Sequence, residues 1–256
     1  MFQFIKLRVD DRIARIAFAR PPLNVFHIPM MKEINKALEH VLAEREIACV
    51  VFESSPECRG FSAGVAVEDH ATDTVYQMLE EFHQIFRALD ETCKPTIAIV
   101  DGPAFGGGCE LVAGCDIVIA SERSKFGQPE IKLGVFPPIA TVLLPRIIGD
   151  KRARELILTG EIIGAREAAA YGLVNQVVRQ EDLAAKTAEL LRRMRELSAS
   201  ALEVTRHALD VARNQPFLKA LNTVEDLYLN DLMHTQDAQE GIKAFKEKRK
   251  PEWKHR

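Results

Sequence analysis

The pattern of apolar and polar positions predicts a chain that opens with strands. Residues 4–10 and 13–18 alternate or run apolar around a pair of aspartates, which is typical of a β-hairpin. Residues 47–52 and 95–100 are almost entirely apolar, which indicates strands buried on both faces of a sheet.

Amphipathic helices are predicted between these strands. Residues 28–45 carry apolar side chains at the 3.6-residue period of a helix, and residues 75–92 form a second such stretch. A helix over 110–115 and a strand over 117–120 follow, and 125–131 is predicted to be a loop. Because strands and helices alternate, we expect an α/β core with parallel strands.

The last part of the chain has a different pattern. Beyond residue 198 the periodicity is helical only, over 199–211 and 217–245. This shift predicts two parts, an α/β core over residues 1–197 and a helical C-terminal segment over residues 198–256.

The composition of the chain mainly excludes certain classes of function. The chain has 256 residues, of which 47% are hydrophobic, enough for one sizeable core. Its net charge of −3 argues against a nucleic-acid partner, and no apolar stretch is long enough for a membrane span or a signal peptide. The five cysteines lack the paired spacing of a zinc site, so no metal is expected. Their odd number, without a secretory signal, predicts reduced thiols and a cytoplasmic location.

Candidate chemistry is concentrated in the glycine-rich stretch 101–111. Glycines 106–108 lie between a predicted strand and a helix, where they allow unusual backbone angles and a close approach of a ligand. Free N–H groups at the start of a helix suit a phosphate or a developing oxyanion. The carboxylate of Glu110 follows in the first helical turn. Two simpler interpretations stay open: the glycines mark tight packing, and Glu110 is only a partner of the helix dipole.

Two nucleotide-binding motifs are excluded at this stretch. A dinucleotide fingerprint needs glycine or alanine where the chain has Leu111, and no Gly-Lys-Ser/Thr follows as in a phosphate-binding loop. A second acid, Glu130, lies in the predicted loop 125–131. The basic run 246–250 is either a solvated helix end or an anion site.

Several motifs resemble, in order and spacing, those of the crotonase (enoyl-CoA hydratase) superfamily, from the first strand to the last helix. They are Phe-Ser-Ala-Gly at 61–64, Gly-Gly-Gly-Cys-Glu-Leu at 106–111, Phe-Gly-Gln-Pro-Glu-Ile at 126–131, Leu-Thr-Gly at 158–160, Tyr-Gly-Leu-Val at 171–174 and Phe-x-Glu-Lys-Arg at 245–249. The resemblance implies a crotonase-like spiral of ββα units with a helical C-terminal segment that supports homotrimers or homohexamers. It also implies an acyl-CoA thioester as substrate and no further cofactor.

The resemblance assigns roles to particular residues. The backbone N–H groups of Val65 and Gly107 are expected to form an oxyanion hole. Glu110 and Glu130 are expected to be the catalytic pair on either side of a water molecule. Adding water across an activated double bond needs both a base and an acid, so two retained glutamates favour hydration. The residues expected to bind CoA are Pro22, Val25, Ala63 and Lys248.

The sequence departs from the superfamily pattern around the acyl group. Residues 65–66 are Val-Ala where Ala-Asp is usual, and Glu68 stands where a lysine is often found. Pro137, Pro138 and Ile139 replace a glycine-rich segment and are expected to line the acyl pocket.

These strings resemble superfamily members that hydrate a cyclic conjugated dienoyl-CoA in the anaerobic degradation of aromatic acids, so we expect that activity. Two alternatives stay open. One is a general 2-enoyl-CoA hydratase of fatty-acid β-oxidation, and the other is a non-catalytic binding protein of the same fold.

Overall fold

The computed structural model describes residues 2–256, so residue 1 of the predicted core lies outside the described part. Within it, the strands are β1 (Ile5–Asp10), β2 (Ile13–Phe18), β3 (Cys49–Ser54), β4 (Thr96–Val100), β5 (Pro103–Phe105), β6 (Ile117–Ser121), β7 (Lys125–Gly127), β8 (Ile162–Gly164) and β9 (Gln176–Val178). The α-helices are α1 (Ile28–Ala43), α2 (Val75–Glu91), α3 (Gly107–Gly114), α4 (Pro138–Ile148), α5 (Asp150–Thr159), α6 (Ala165–Tyr171), α7 (Leu183–Arg195), α8 (Ala199–Ala212), α9 (Phe217–Asn230) and α10 (Gln236–Glu247).

The main sheet has six strands in the order β1-β2-β3-β4-β6-β9. β1 and β2 form the predicted antiparallel hairpin, with Asp10 opposite Ile13, and every other pair in this sheet is parallel. The predictions of an opening hairpin and of an α/β core with parallel strands are therefore confirmed.

Alternate residues of the main sheet face two separate hydrophobic clusters. Val50 and Phe52 of β3 point into the larger cluster, which contains the apolar faces of α1 and α2. Val51, between them, points into the smaller cluster together with Leu191 of α7. Burial on both faces explains why these strands are apolar throughout.

A second, three-stranded sheet in the order β5-β7-β8 was not predicted. The prediction of a loop over 125–131 is wrong, because residues 125–127 form β7 and Pro129–Leu133 form a 3-10 turn. Each strand of this sheet has three residues, which is too short to show a period of two in the sequence.

Helix α4 also has no counterpart among the predicted elements. It begins at Pro138, after Pro137, and contains Pro145. Proline is tolerated in the first turn of a helix because the N–H groups there have no intrahelical partner. The prolines that stiffen this segment therefore also start a helix.

The C-terminal helices are tied to the core by ion pairs of α8. Lys94, with a side chain 2% exposed, pairs with Glu203, and Arg206 pairs with Asp116 at 2.9 Å. The predicted helical stretch 217–245 is divided into α9 and α10 by a 3-10 turn at Leu232–His234. Among residues 2–256, no helix is long and apolar enough to cross a membrane.

Candidate active site

Two glycine-containing loops meet at the carboxyl ends of the neighbouring strands β3 and β4. Gly64 and Gly106 both have positive φ angles, of 100° and 50°. A Cβ on Gly64 would lie 3.0 Å from the carbonyl oxygen of Phe105 and 3.5 Å from the nitrogen of Gly107. The two loops are therefore in contact, and each needs a conformation that favours glycine.

The backbone N–H groups of Val65 and Gly107 are free where these loops meet. Gly107 is the first residue of α3, so its N–H has no intrahelical acceptor. No hydrogen bond among residues 2–256 has either N–H group as its donor. A Cβ on Gly107 would lie 2.9 Å from Cγ2 of Val65, which shows how closely the two residues approach.

The three successive glycines, 106–108, are each required for a different physical reason. Gly106 has the positive φ and forms the turn. Gly107 and Gly108 are helical, and a Cβ on them would lie 2.9 Å from Phe82 and 2.7 Å from Ser62 respectively. The packing interpretation is therefore correct for the last two glycines, and the conformational interpretation for the first.

Glu110 lies in the first turn of α3 and is 3% exposed. Its Oε1 accepts a hydrogen bond of 2.8 Å from the backbone N–H of Ala140, in the first turn of α4. Burial raises the pKa of Glu110 to about 8, the charge of Glu130 adds to the rise, and the N–H groups of Ala140 and Ile139 oppose it. Glu110 is therefore more than a partner of its own helix dipole, because α4 also holds it.

Glu130 reaches the same space from the 3-10 turn after β7. Its Oε1 lies against Gly106, where a Cβ would collide with it, and its Oε2 is buried without a partner among residues 2–256. Burial raises the pKa of Glu130 to about 7. Because the charge of Glu130 contributes to the raised pKa of Glu110, the two carboxyl groups lie close enough for one to influence the protonation of the other.

The predicted acyl-pocket residues lie beside Glu110. Pro137 precedes α4, and Pro138 and Ile139 are its first two residues. Pro137 is buried and the other two are half-buried. Ala140, whose N–H donates to Glu110, is not among the predicted site residues, although the paired prolines could have indicated the helix start.

Three of the four predicted CoA-binding residues lie in two adjacent segments. The carbonyl of Pro22 accepts a hydrogen bond of 2.7 Å from the N–H of Arg59, and the N–H of Ala63 donates one of 2.9 Å to the carbonyl of Leu23. The carbonyl of Val25, three residues after Pro22, accepts a hydrogen bond of 2.9 Å from the Arg20 guanidinium. The structure therefore brings the segment of Pro22 and Val25 next to the loop that carries Ala63 and Val65.

Lys248 is not joined to this group within a single chain. It follows α10 directly, with a φ of 55°, and no hydrogen bond or ion pair links its side chain to the glycine loops among residues 2–256. Its neighbour Arg249 is bound to Glu240 at 2.9 Å and to Glu247 at 2.7 Å. The charge of Arg249 is thus offset within the C-terminal segment.

Comparison with known proteins agrees with this geometry. The enoyl-CoA hydratase/isomerase family model matches residues 8–256. The chain is 37% identical over 254 residues to cyclohexa-1,5-dienecarbonyl-CoA hydratase of Thauera aromatica, covering 98% of this chain and 96% of that protein. It is 35% identical over 262 residues to a probable enoyl-CoA hydratase of Mycobacterium bovis, covering 100% and 99%.

The fold is similar to that of solved relatives. The crystal structure of an enoyl-CoA hydratase subunit from Geobacillus kaustophilus superposes with a TM-score of 0.91 at 34% identity, covering 100% of this chain and 99% of that chain. The expected crotonase-like fold is therefore confirmed, and the family supports a hydro-lyase activity. With matches that run from end to end in sequence and in fold, the chain belongs to the enoyl-CoA hydratase/isomerase family of the crotonase superfamily.

Proposed function

We propose that this protein adds water to a conjugated cyclic dienoyl-CoA, converting cyclohexa-1,5-diene-1-carbonyl-CoA to 6-hydroxycyclohex-1-ene-1-carbonyl-CoA in the anaerobic degradation of aromatic acids. The observation that carries the hydratase part is the pair of buried glutamates at the glycine turn, where Glu110 is held by Ala140 and Glu130 lies against Gly106, and where burial raises both pKa values. The ring is supported by the apolar, proline-rich start of α4 and by similarity to the Thauera protein.

The reaction begins with attack of water on the ring carbon β to the thioester. One glutamate removes a proton from the water as the carbon–oxygen bond forms, and negative charge spreads into the thioester and the second double bond. The other glutamate then delivers a proton to the far end of the conjugated system. The first step needs an ionised carboxyl group and the second a protonated one, and raised pKa values near neutral pH make both forms accessible.

We assign Glu110 as the base and Glu130 as the proton donor. The N–H of Ala140 stabilises the ionised form of Glu110, whereas no N–H or O–H group of the described residues donates directly to Oε2 of Glu130. Burial opposes this assignment, because it puts the pKa of Glu110 at about 8 and that of Glu130 at about 7. The pH dependence of a Glu110→Gln and a Glu130→Gln variant decides between the two orders.

The N–H groups of Val65 and Gly107 form the oxyanion hole in this proposal. The thioester oxygen gains negative charge in the transition state, and two fixed donors at about 2.7–3.1 Å would stabilise it. The support is the contact between the two glycine loops and the absence of another acceptor for these N–H groups in the described part of the chain. A ligand-bound structure in which the two amides point apart would remove this role.

The CoA moiety is assigned to Pro22, Val25 and Ala63, with Lys248 supplying positive charge to its phosphates. Since Lys248 is not joined to the glycine loops within one chain, it would reach the site of a neighbouring subunit in a homotrimer or homohexamer. Lys248→Ala should raise KM for the CoA ester more than it lowers kcat, because a contact remote from the reaction contributes uniform binding. An unchanged KM would return Lys248 to the status of a solvated helix end.

The test of the function is a comparison of kcat/KM for the cyclic dienoyl-CoA, crotonyl-CoA and a long-chain 2-enoyl-CoA. We expect the cyclic substrate to be turned over fastest and the long chain hardly at all. Fast hydration of the long chain would instead support the general 2-enoyl-CoA hydratase that the Mycobacterium relative is named for. Binding of all three esters without turnover would support a binding protein of the same fold.

A further inference from the structure

The segment that carries Glu130 contains a second unpaired polar group. Gln128 is fully buried, and neither Oε1 nor Nε2 of its side chain has a hydrogen-bond partner among residues 2–256. Buried side-chain amides are almost always hydrogen-bonded in native proteins, because an unpaired one loses its interactions with water on folding. An unpaired amide at this position therefore needs an explanation.

The surroundings of Gln128 are fixed on both sides. The preceding carbonyl, of Gly127, accepts a hydrogen bond of 2.9 Å from the N–H of Gly106, which ties this segment to the turn before α3. The following residue, Pro129, has no N–H and a restricted φ. The backbone on both sides of Gln128 is therefore constrained, and Pro129 has no N–H group that could donate to Oε1 of the Gln128 side chain.

The thiol of Cys109 lies beside the Gln128 amide. Cys109 is 2% exposed, and burial raises its pKa to about 12, while polar contacts from the backbone of Gly127 and from the side chain of Gln128 oppose the rise. Only a donor lowers the pKa of a thiol, so one hydrogen of Nε2 of Gln128 points toward the sulfur of Cys109. That leaves the second hydrogen of Nε2 to be satisfied from another direction.

Glu130 supplies the matching acceptor two residues further along the chain. Its Oε2 is buried and unpartnered among the described residues, while its Oε1 lies against Gly106. An unpaired donor and an unpaired acceptor that are both buried in one short segment can be satisfied together by a water molecule between them.

We propose that Gln128 is a positioning residue for Glu130: its amide Nε2 binds a buried water that donates to Oε2 of Glu130 and so holds this carboxyl group toward the reacting water. This assignment rests on the proposed function only for the role of Glu130. The bridge itself is a property of the folded chain.

The bridge has a consequence for the titration of Glu130. A donor to Oε2 stabilises the ionised form, so its removal should raise the pKa of Glu130 further. The other titratable groups facing Glu130 are Glu110 and Cys109 on α3, and both stay in place when only residue 128 is changed.

Gln128→Met tests the proposal, because methionine has a similar length and no amide. Gln215→Met is the matched control, since Oε1 of Gln215 is also buried and unpaired but lies in the C-terminal segment, after α8. The measurements are the thermal midpoint, kcat and KM, and the pKa of Glu130 followed by ¹³C NMR of glutamate-labelled protein. The Glu130 signal is assigned from the spectrum of Glu130→Gln.

For Gln128→Met we expect an unchanged KM, a fall in kcat of about 10-fold or more and an upward shift in the pKa of Glu130. Gln215→Met should leave all three quantities unchanged. Wild-type behaviour of Gln128→Met in kcat and in the Glu130 titration would overturn the proposal. So would a fall in thermal midpoint and kcat with an unchanged titration, because that pattern indicates packing alone.

The NMR arm separates this proposal from the proposed function. If the wild type hydrates none of the CoA esters, the function is wrong, yet the Glu130 titration still reports whether Gln128 acts on it. If the wild type is active and the titration of Gln128→Met matches that of the wild type, only the positioning role is lost.

Discussion

The two glutamates of the site are held in opposite ways. Glu110 sits on a helix, 3% exposed, with one oxygen bound at 2.8 Å by the first turn of α4. Glu130 sits on a short 3-10 turn, with one oxygen packed against Gly106 and the other without a partner among the described residues. Glu110 is thus fixed by a direct hydrogen bond from another helix, whereas Glu130 is held mainly by its contact with Gly106.

This difference shows how one fold gives two identical side chains different tasks. A carboxyl group fixed by a backbone N–H keeps its orientation when it loses or gains a proton. A carboxyl group fixed by packing keeps an oxygen available for a proton, a substrate or a water molecule. If this difference matters for catalysis, substitutions around Glu110 and substitutions around Glu130 should affect activity in different ways.

The largest effect is expected from removing either acid. Glu110→Gln and Glu130→Gln should each lower kcat about 10²-fold or more, because amides keep the shape but cannot exchange the proton. Binding of a CoA ester, measured by calorimetry, should be largely unchanged. Normal turnover in one variant would remove that residue from the mechanism, and loss of folded protein would assign it a structural role.

The next effect concerns the wall that holds Glu110. Replacing both Pro138 and Ile139 by glycine should relax the preference for the cyclic substrate over crotonyl-CoA by about 1–3 kcal/mol, because a stiff apolar pocket becomes flexible. The check is the ratio of the two kcat/KM values. Arg146→Gly, at an exposed position of the same helix, controls for the helix penalty of glycine and should leave the ratio unchanged.

A smaller effect should follow from disturbing the packing that holds Glu130. Gly106→Ala adds a Cβ that collides with Oε1 of Glu130 at a positive φ, so we expect kcat to fall roughly 10-fold as the carboxyl group moves. Gly149→Ala is the control, because Gly149 also has a positive φ, of 82°, but its Cβ would meet no atom within 4 Å. Equal losses in the two variants would show that backbone strain, rather than Glu130, is responsible.

The smallest effect is on stability and depends on pH. Burial raises the pKa of Glu110 to about 8, above the ordinary value of 4.5, so the folded state binds more protons than the unfolded state between these pH values. The contribution of Glu110 to stability is therefore fully present below the ordinary value and is lost as pH rises toward 8. Glu110→Gln should lack this loss, and its thermal midpoint should gain on that of the wild type by at least about 4 °C from pH 5 to pH 8. If the difference between the two thermal midpoints does not change with pH, burial does not raise the pKa of Glu110.

The local sequence pattern was enough to predict much of the fold and to identify both glutamates of the site. The hairpin, the buried strands and α1 and α2 could be predicted because each buries one face or both faces at a fixed period. The glycine turn and the glutamate after it were visible because they occupy fixed positions in one continuous stretch. The three-residue strands β5, β7 and β8 could not be predicted, since their pairing is between residues far apart in the sequence.

The sequence by itself therefore determined the α/β class, the family and the two carboxyl groups. Only the tertiary structure decided how those groups are held: Ala140 in the first turn of α4 lies thirty residues after Glu110 in the chain, yet its N–H reaches that side chain. Gly106 and Glu130 likewise meet only because β5 and β7 pair. Burial and contact between distant segments set both pKa values, and no local pattern encodes a contact of that kind.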